Sequence, residues 1–197
     1  MPPMRCHLAL ALVTAFAVQD PSPGQEKPLT LELRTFNGTE EVTAQTRATV
    51  HRAGDRGEPL THANPANGRI ERPLPVGIYD VQAIHERDGR VLNIRWANRL
   101  VLMAYPDEAG HHLEVINFKN GFGALQIRAP AGGRPDVDVY EAGKRDKPAA
   151  APLQSSTYLL FVLRAGSYDL LMRVSGKSSW HANIEVPLDR TRLWVTP

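Results

Sequence analysis

The sequence predicts an all-β protein made of two tandem β-sandwich units that are related by internal duplication. The main observation is a repeated stretch: residues 74–81 (LPVGIYDV) return 89 positions later as residues 163–170 (LRAGSYDL). Aligned without gaps, residues 48–81 and 137–170 share nine identities in 34 positions, whereas average residue usage would give roughly two. The identical pairs are Val50/Val139, Ala53/Ala142, Gly54/Gly143, Arg56/Arg145, Pro59/Pro148, Leu74/Leu163, Gly77/Gly166, Tyr79/Tyr168 and Asp80/Asp169.

The second observation is the spacing of the turn signals. Short apolar or alternating runs are separated every 8–12 residues by Gly, Pro, Asn or Asp, and this spacing is typical of β-sandwiches. The chain beyond the first 17 residues contains no convincing amphipathic helix.

In the first unit, the alternation of apolar and polar residues predicts seven strands. Asn37-Gly38 ends the first strand, and Asp88-Gly89 is a strong β-hairpin signal. Residues 54–68 are predicted to be a long loop because they are rich in Pro, Gly and Asn, and residues 99–105 are apolar enough to be buried on both faces. The predicted strands are 29–36, 46–52, 70–74, 78–86, 91–96, 99–105 and 112–118.

The second unit follows a crossover over residues 119–123. Turns are predicted at residues 106–110 before the crossover and at 130–134 after it, residues 143–152 form an Ala-rich loop, and Gly176 closes a second hairpin. The predicted strands are 124–129, 137–141, 157–163, 168–174, 180–186 and 192–195.

The repeated Gly-x-Tyr-Asp motif has a structural interpretation. The glycine permits backbone angles that other residues avoid, and the strand that follows places the tyrosine on the buried face and the aspartate on the solvent face. A tyrosine in this place can bury its ring between sheets while its hydroxyl bonds to the nearby backbone. Because both units keep the motif, we interpret its members as fold residues rather than an active site. They are Gly77, Tyr79, Asp80, Gly166, Tyr168 and Asp169.

With Leu74 and Val81 in the first unit and Leu163 and Leu170 in the second, the motif resembles the bacterial PEGA and carboxypeptidase-regulatory-like repeats. The resemblance covers the core of each unit, about half of the chain after the predicted leader, and the Pro-Glu-Gly-Ala run itself is absent. It implies an immunoglobulin- or transthyretin-like sandwich for each unit. It also implies a module that binds, spaces or presents rather than one that catalyses.

Residues 1–17 are predicted to be a secretory signal peptide. An apolar run from Leu8 to Val18 follows Arg5, and Ala15-Phe16-Ala17 supplies the pattern of a cleavage site. The run is too short to be a transmembrane anchor, and the single cysteine, Cys6, precedes it. We therefore expect a secreted, extracellular or periplasmic bacterial protein without disulfides. Its predicted parts are a tether over 18–28, a first unit over 29–120 and a second unit over 121–197.

The charge of the chain excludes some classes of partner. The formal net charge is +2, or about +1 without Arg5, and the two signs are interspersed. No basic stripe indicates nucleic acid, and no later run predicts a membrane span. The expected partner is a protein or a cell-envelope polymer, and the oligomeric state stays open.

The histidine and carboxylate groups of the sequence do not supply a complete metal site. On a strand, His112 and Glu114 would share a face while His111 points the other way, and zinc needs three or four ligands. Asp136 and Asp138 share a face and Asp107-Glu108 lies in a turn, but calcium needs six or more oxygens. We therefore expect no metal and no cofactor.

A catalytic nucleophile is not evident either. There is no Gly-x-Ser-x-Gly motif and no cysteine after the predicted leader. Ser155, Ser156, Ser178 and Ser179 are predicted to lie in turns, so we expect no catalytic residues and no enzyme.

Four aromatic residues are candidates for ligand contacts: Trp96, Phe122, Trp180 and Trp194. If exposed they could stack on sugars, although aromatic residues of sandwiches more often lie in the core. Phe122 either has a special role or fills the interface between the units. The leading hypothesis is a non-enzymatic binding, spacer or presentation module, followed by a carbohydrate-binding module. A metal-dependent or hydrolytic enzyme using His111, His112 and Glu114 comes last.

Overall fold

The computed structural model describes residues 28–103, 110–129, 135–155, 157–174 and 176–197. Several predicted features lie outside these ranges: the signal peptide, residues 18–27 of the tether, nearly all of the turn over 106–110, and the turn over 130–134. Asp107, Glu108 and Ser156 also lie outside them.

The described residues form 15 β-strands and one 3-10 turn, Thr43–Gln45, and the all-β prediction is confirmed. The strands are β1 (Leu29–Asn37), β2 (Glu40–Glu41), β3 (Thr46–Arg52), β4 (Thr61–Ala63), β5 (Ile70–Leu74), β6 (Gly77–Arg87), β7 (Arg90–Leu102), β8 (His111–Asn117), β9 (Phe122–Arg128), β10 (Asp136–Glu141), β11 (Leu153–Gln154), β12 (Leu159–Arg164), β13 (Gly166–Val174), β14 (Lys177–Val186) and β15 (Thr191–Val195).

The strands form four sheets, two from each half of the chain. Sheet 1 has the order β4-β3-β6-β7, and sheet 2 has β5-β1-β8 with β2 beside the end of β1. Sheet 3 has the order β11-β12-β9-β15, and sheet 4 has β10-β13-β14. The pairs β1–β8 and β9–β15 are parallel and the other strand pairs are antiparallel.

Three hydrophobic cores separate the four sheets. The first lies between sheets 1 and 2 and the second between sheets 3 and 4. The third, which we call the junction core, lies between sheets 2 and 3. Its buried members are Phe36, Leu113, Val115, Ala124, Tyr158, Leu160 and Val162.

Strand β12 shows how the middle layers are built. Phe161 and its neighbours two residues away belong to the second core, whereas Leu160 and Val162 belong to the junction core. Both faces of the strand are therefore buried, as its continuous apolar sequence predicts. Sheets 2 and 3 form the inside of a four-layer stack, and sheets 1 and 4 are its outer layers.

Polar contacts also join the two halves of the stack. Glu114 Oε1 accepts hydrogen bonds from the backbone N–H and the hydroxyl of Thr191, at 3.1 and 3.3 Å. Arg95 donates to the carboxylate of Asp189 at 2.6 Å, and the Arg190 guanidinium donates to the carbonyl of Asn98. The loop before β15 is thus held against β7 and β8.

Several local predictions are confirmed and others are wrong. Asp88 and Gly89 have φ values of 53° and 74°, as a two-residue hairpin turn requires. The prediction that residues 99–105 are buried on both faces is wrong: Val101 and Met103 are exposed, because the outer face of sheet 1 is not covered by another layer, whereas Leu100 and Leu102 point into the first core.

Two loop predictions also need correction. The predicted loop over residues 54–68 contains β4, because Thr61–Ala63 pairs with β3. Ser178 and Ser179 lie in β14 rather than in a turn, where they pair with Arg173 and Met172.

The junction core yields a matched pair of variants. Leu160 is fully buried in this core, whereas Leu92 on β7 is about half exposed. Leu160→Ala should lower the free energy of unfolding by about 2–5 kcal/mol, since the substitution leaves a cavity. Leu92→Ala should change it by less than about 0.5 kcal/mol. Urea denaturation followed by circular dichroism measures both, and equal losses would contradict the burial of Leu160.

Candidate functional site

Tyr79 and Tyr168 occupy equivalent places in the two units. Both rings are buried, each with 7% exposure. The hydroxyl of Tyr79 donates to the carbonyl of Pro75 and that of Tyr168 to the carbonyl of Arg164, each at 2.8 Å. Each tyrosine therefore fixes the turn that precedes its own strand, which is the backbone contact expected from the sequence.

The prediction that Asp80 lies on a solvent face is wrong. Asp80 is buried, and its carboxylate accepts hydrogen bonds from the backbone N–H of Arg99 at 2.7 Å and of Gly54 at 2.9 Å. Arg99 has a φ of 54°, and the register between β6 and β7 shifts beside Asp80. The side chain thus satisfies backbone donors that the irregular ladder leaves unpaired.

Asp169 repeats this arrangement in the second unit. Its carboxylate accepts from the backbone N–H of Gly143 and of Asn183, both at 3.2 Å. Asn183 has a φ of 59°, and the register between β13 and β14 shifts at the same place. Both aspartates are therefore fold residues, for a reason that the sequence did not show.

These hydrogen bonds act on the ionisation of the two aspartates. The N–H groups of Arg99 and Gly54 lower the pKa of Asp80, and those of Gly143 and Asn183 lower the pKa of Asp169. A carboxylate whose pKa is lower in the folded state stabilises the fold above its unfolded pKa, about 3.9 for Asp. This stabilisation is lost as the pH falls through the folded pKa.

Replacing both aspartates tests this linkage. The urea midpoint of the wild type should fall as the pH decreases from about 4 to about 2. The double variant Asp80→Asn/Asp169→Asn should be less stable at pH 7 and should lose less over the same interval. Asp88→Asn, in the exposed hairpin turn, is the control and should follow the wild type. An acid loss as large in the double variant as in the wild type would contradict the assignment.

A stacked arginine and tryptophan recur on the outer faces of sheets 1 and 4. The Arg56 guanidinium lies 4.6 Å from the centroid of the Trp96 ring, and that of Arg145 lies 4.2 Å from the Trp180 ring. The ring of His51 lies 5.2 Å from Trp96. Both pairs are cation–π contacts, and they cover part of the ring surface that a sugar would need.

Tyr140 takes the place of His51 in the second unit, with its ring centroid 5.2 Å from that of Trp180. Trp180 is 38% exposed, and it is the most open of the four predicted contact aromatics.

The other two predicted aromatics lie in the interior layers. Trp194 packs against the second core, with the ring of His181 at 5.2 Å. Phe122 packs against the junction core, with the guanidinium of Arg164 5.1 Å from its ring centroid. The structure therefore distributes the four aromatics over different layers and does not align them on one open face.

The most exposed apolar surface of the first unit is on β7. Val91, Leu92 and Ile94 are 52%, 49% and 56% exposed. Ile94 lies opposite Ile84, Val91 lies opposite Glu86, and Leu92 is the extra residue of a bulge between them. Among the described residues, β7 forms a ladder only with β6. The loop before β15 contacts β7 at Asn98, so the available part of the other edge is the end that carries the exposed Val91, Leu92 and Ile94. We call Val91, Leu92 and Ile94 the apolar edge.

The second unit lacks this apolar edge. Trp180 on β14 pairs with Leu171, and the equivalent Trp96 on β7 pairs with Gln82. Ile94 lies two residues before Trp96, and the residue at the same place before Trp180 is Ser178. The hairpin of β13 and β14 is also shorter than that of β6 and β7. The two units thus share a fold but present different outer surfaces.

The remaining candidate metal ligands lie where the alternation of side chains along a strand predicts. His112 and Glu114 lie together, with Nε2 3.8 Å from a carboxylate oxygen. Asp136 and Asp138 share a face, where both hold Arg173, at 3.2 and 2.6 Å. These two aspartates therefore form ion pairs with an arginine.

Sequence reasoning missed Arg56, Arg145 and the apolar edge. The first two are identical in the repeat, so their repetition was an available signal for a shared contact. The sequence predicted two strands, 91–96 and 99–105, where the structure has the single strand β7, and it did not reveal which face of that strand lies on the outside.

No protein-family model matches the chain, and no curated protein matches it, so the likeness to PEGA repeats stays a prediction. No helix among the described residues is long and apolar enough to cross a membrane.

The solved structures that are similar to this chain have low TM-scores and low sequence identities. The TIE protein of Bacillus anthracis is 15% identical over 85% of this chain and 33% of its own, with a TM-score of 0.32. A putative adhesin of Bacteroides ovatus is 8% identical over 86% of this chain and 88% of its own, with a TM-score of 0.31. Fervidolysin of Fervidobacterium pennivorans is 13% identical over 88% of this chain and 31% of its own, with a TM-score of 0.34. The chain spans about a third of the TIE protein and of fervidolysin.

Proposed function

We propose that this protein is a secreted, non-enzymatic binding module. Its stacked sandwiches act as a spacer that presents the apolar edge to a protein partner in the cell envelope or outside the cell. The observation that carries the proposal is the exposure of Val91, Leu92 and Ile94 on an edge strand. Exposed apolar edge strands are normally avoided because they pair with other chains, so such an edge indicates a contact surface.

The partner segment is an extended strand with alternating apolar residues and acidic flanks. The open side of β7 offers backbone donors and acceptors for strand addition. Ile94 offers an apolar contact on the outer face of sheet 1, where Ile84 lies beside it. The exposed Arg87 and Arg90, with the exposed Asp88 between them, give the hairpin turn a net positive charge, which favours acidic residues next to the apolar ones.

A non-catalytic role is supported by how two of the carboxylates with lowered pKa values are used. Asp80 and Asp169 have lowered pKa values, but each already accepts two backbone hydrogen bonds in the interior. Neither is positioned to act on a substrate.

A peptide selection tests the proposal. A phage-displayed library of random peptides is selected on the immobilised secreted protein, and the affinity of the selected peptides is measured by fluorescence anisotropy. Peptides with alternating apolar residues and acidic flanks are expected. They should bind the variant Val91→Ser/Ile94→Ser at least about tenfold more weakly, since two apolar contacts are lost.

The matched control is Val174→Ser. Val174 is also an exposed valine at a hairpin, but in the second unit, and its replacement should leave the affinity within about twofold. Selected peptides that bind the double variant as tightly as the wild type would refute the apolar edge as the binding surface.

A carbohydrate-binding role is the second candidate, and the exposure of Trp180 favours it. Trp180 lies on an outer face with Arg145 and Tyr140 beside it, and an exposed indole can stack on a sugar. A glycan array would support this role if binding were lost in Trp180→Ala and kept in Val91→Ser/Ile94→Ser. The absence of glycan binding would exclude it.

A further inference from the structure

Three metal-ligand side chains from neighbouring strands meet on one face of sheet 2. Glu32 on β1 lies directly opposite Glu71 on β5. His111 on β8 lies opposite Thr30, and Thr30 shares a strand face with Glu32 because side chains alternate. One donor atom from each of Glu32, Glu71 and His111 lies within 4.8 Å of the other two.

The carboxylate of Glu32 is the distinctive member of this cluster. Glu32 is 1% exposed, and its Oε1 accepts a hydrogen bond from the Tyr158 hydroxyl at 3.0 Å. Its Oε2 has no aligned hydrogen-bond donor among the described residues, although His111 Nε2 lies 2.9 Å away. A buried carboxylate oxygen without a donor is costly, and a cation on this side would satisfy it.

We propose that Glu32, Glu71 and His111 bind one divalent transition-metal ion, with Zn²⁺ as the representative. Carboxylate oxygen and imidazole nitrogen bind Zn²⁺ at about 2.0–2.2 Å, so two ligand atoms of a tetrahedral ion are roughly 3.3–3.6 Å apart. Glu32 Oε2 and His111 Nε2 lie 2.9 Å apart, so a bound ion would separate them by about half an ångström and replace their ion pair. The imidazole disfavours Ca²⁺ and Mg²⁺, which take oxygen ligands. Three protein ligands leave a position for water.

The ion can reach the site from solvent. The side chains of Glu71 and His111 are 47% and 29% exposed, so Glu71 can rotate to close the ligand set. A surface groove lined by Asn64, Asn67 and Arg69 borders Glu71. Arg69 lies 3.9 Å from Glu71, and metal binding would compete with this weak ion pair.

The bound ion would stabilise the junction between the units. Glu32, Glu71 and His111 belong to the first unit, whereas Tyr158 lies in the second and holds the other oxygen of Glu32. Tyr158 would thus be an outer-shell partner that orients a ligand. This site is separate from the apolar edge and does not depend on the proposed binding function.

Calorimetric titration with Zn²⁺ tests the proposal on the secreted protein, purified without a polyhistidine tag and treated with a chelator. The wild type should bind one ion per chain. Glu71→Ala and His111→Ala should each weaken binding by about tenfold or more, and Tyr158→Phe by about tenfold. Zn²⁺ should raise the melting temperature of the wild type and not that of His111→Ala. Circular dichroism confirms that each variant is folded.

His112→Ala is the matched control. His112 is adjacent in sequence and also faces a glutamate, Glu114, at 3.8 Å, but on the other face of β8. This variant should bind Zn²⁺ as the wild type does. The proposal is overturned if the wild type binds no ion, if Glu71→Ala and His111→Ala bind as tightly as the wild type, or if only His112→Ala loses binding.

Discussion

The burial of sheets 2 and 3 on both faces is the constraint on which the rest of the structure depends. Strand β12 meets this constraint with apolar residues at both alternating positions, Leu160 on one side and Phe161 on the other, whereas β1 places Thr30, Glu32 and Arg34 at alternate positions. The junction core that results converts two sandwiches into one four-layer stack. Two carboxylates of sheet 2, those of Glu32 and Glu114, are nevertheless buried, and each needs polar partners there.

The duplication and most strands could be predicted from the sequence, because the repeat and the period-2 alternation are local signals. The role of Asp80 could not, because it depends on a register shift that aims the N–H of Arg99, 19 residues away, at its carboxylate. The cluster of Glu32, Glu71 and His111 could not be predicted either, since sheet pairing alone brings these distant residues together. A local sequence pattern does not reveal the register in which distant strands pair.

The two units share their interior contacts and the arginine–tryptophan pair on their outer faces, and they differ in outer surface near the hairpins. The tyrosine contacts, the buried aspartates and the arginine–tryptophan pairs recur in both, because they hold turns, bulges and sheets in place. Ile94 and Ser178 occupy equivalent strand positions but differ in polarity. A protein that binds a partner at one outer surface and is stabilised by its junction core would diverge in this way, because substitutions on the outer surface do not disturb that core.

Separate unfolding curves for the two units test the central claim that the junction core joins them into one body. In Trp180→Phe/Trp194→Phe, the fluorescence of Trp96 reports the first unit alone, and in Trp96→Phe the remaining two tryptophans report the second. Because the junction core couples the units, the urea midpoints from these two variants should coincide with each other and with the midpoint from circular dichroism. Two separate transitions, with one unit unfolding while the other stays folded, would contradict the four-layer account.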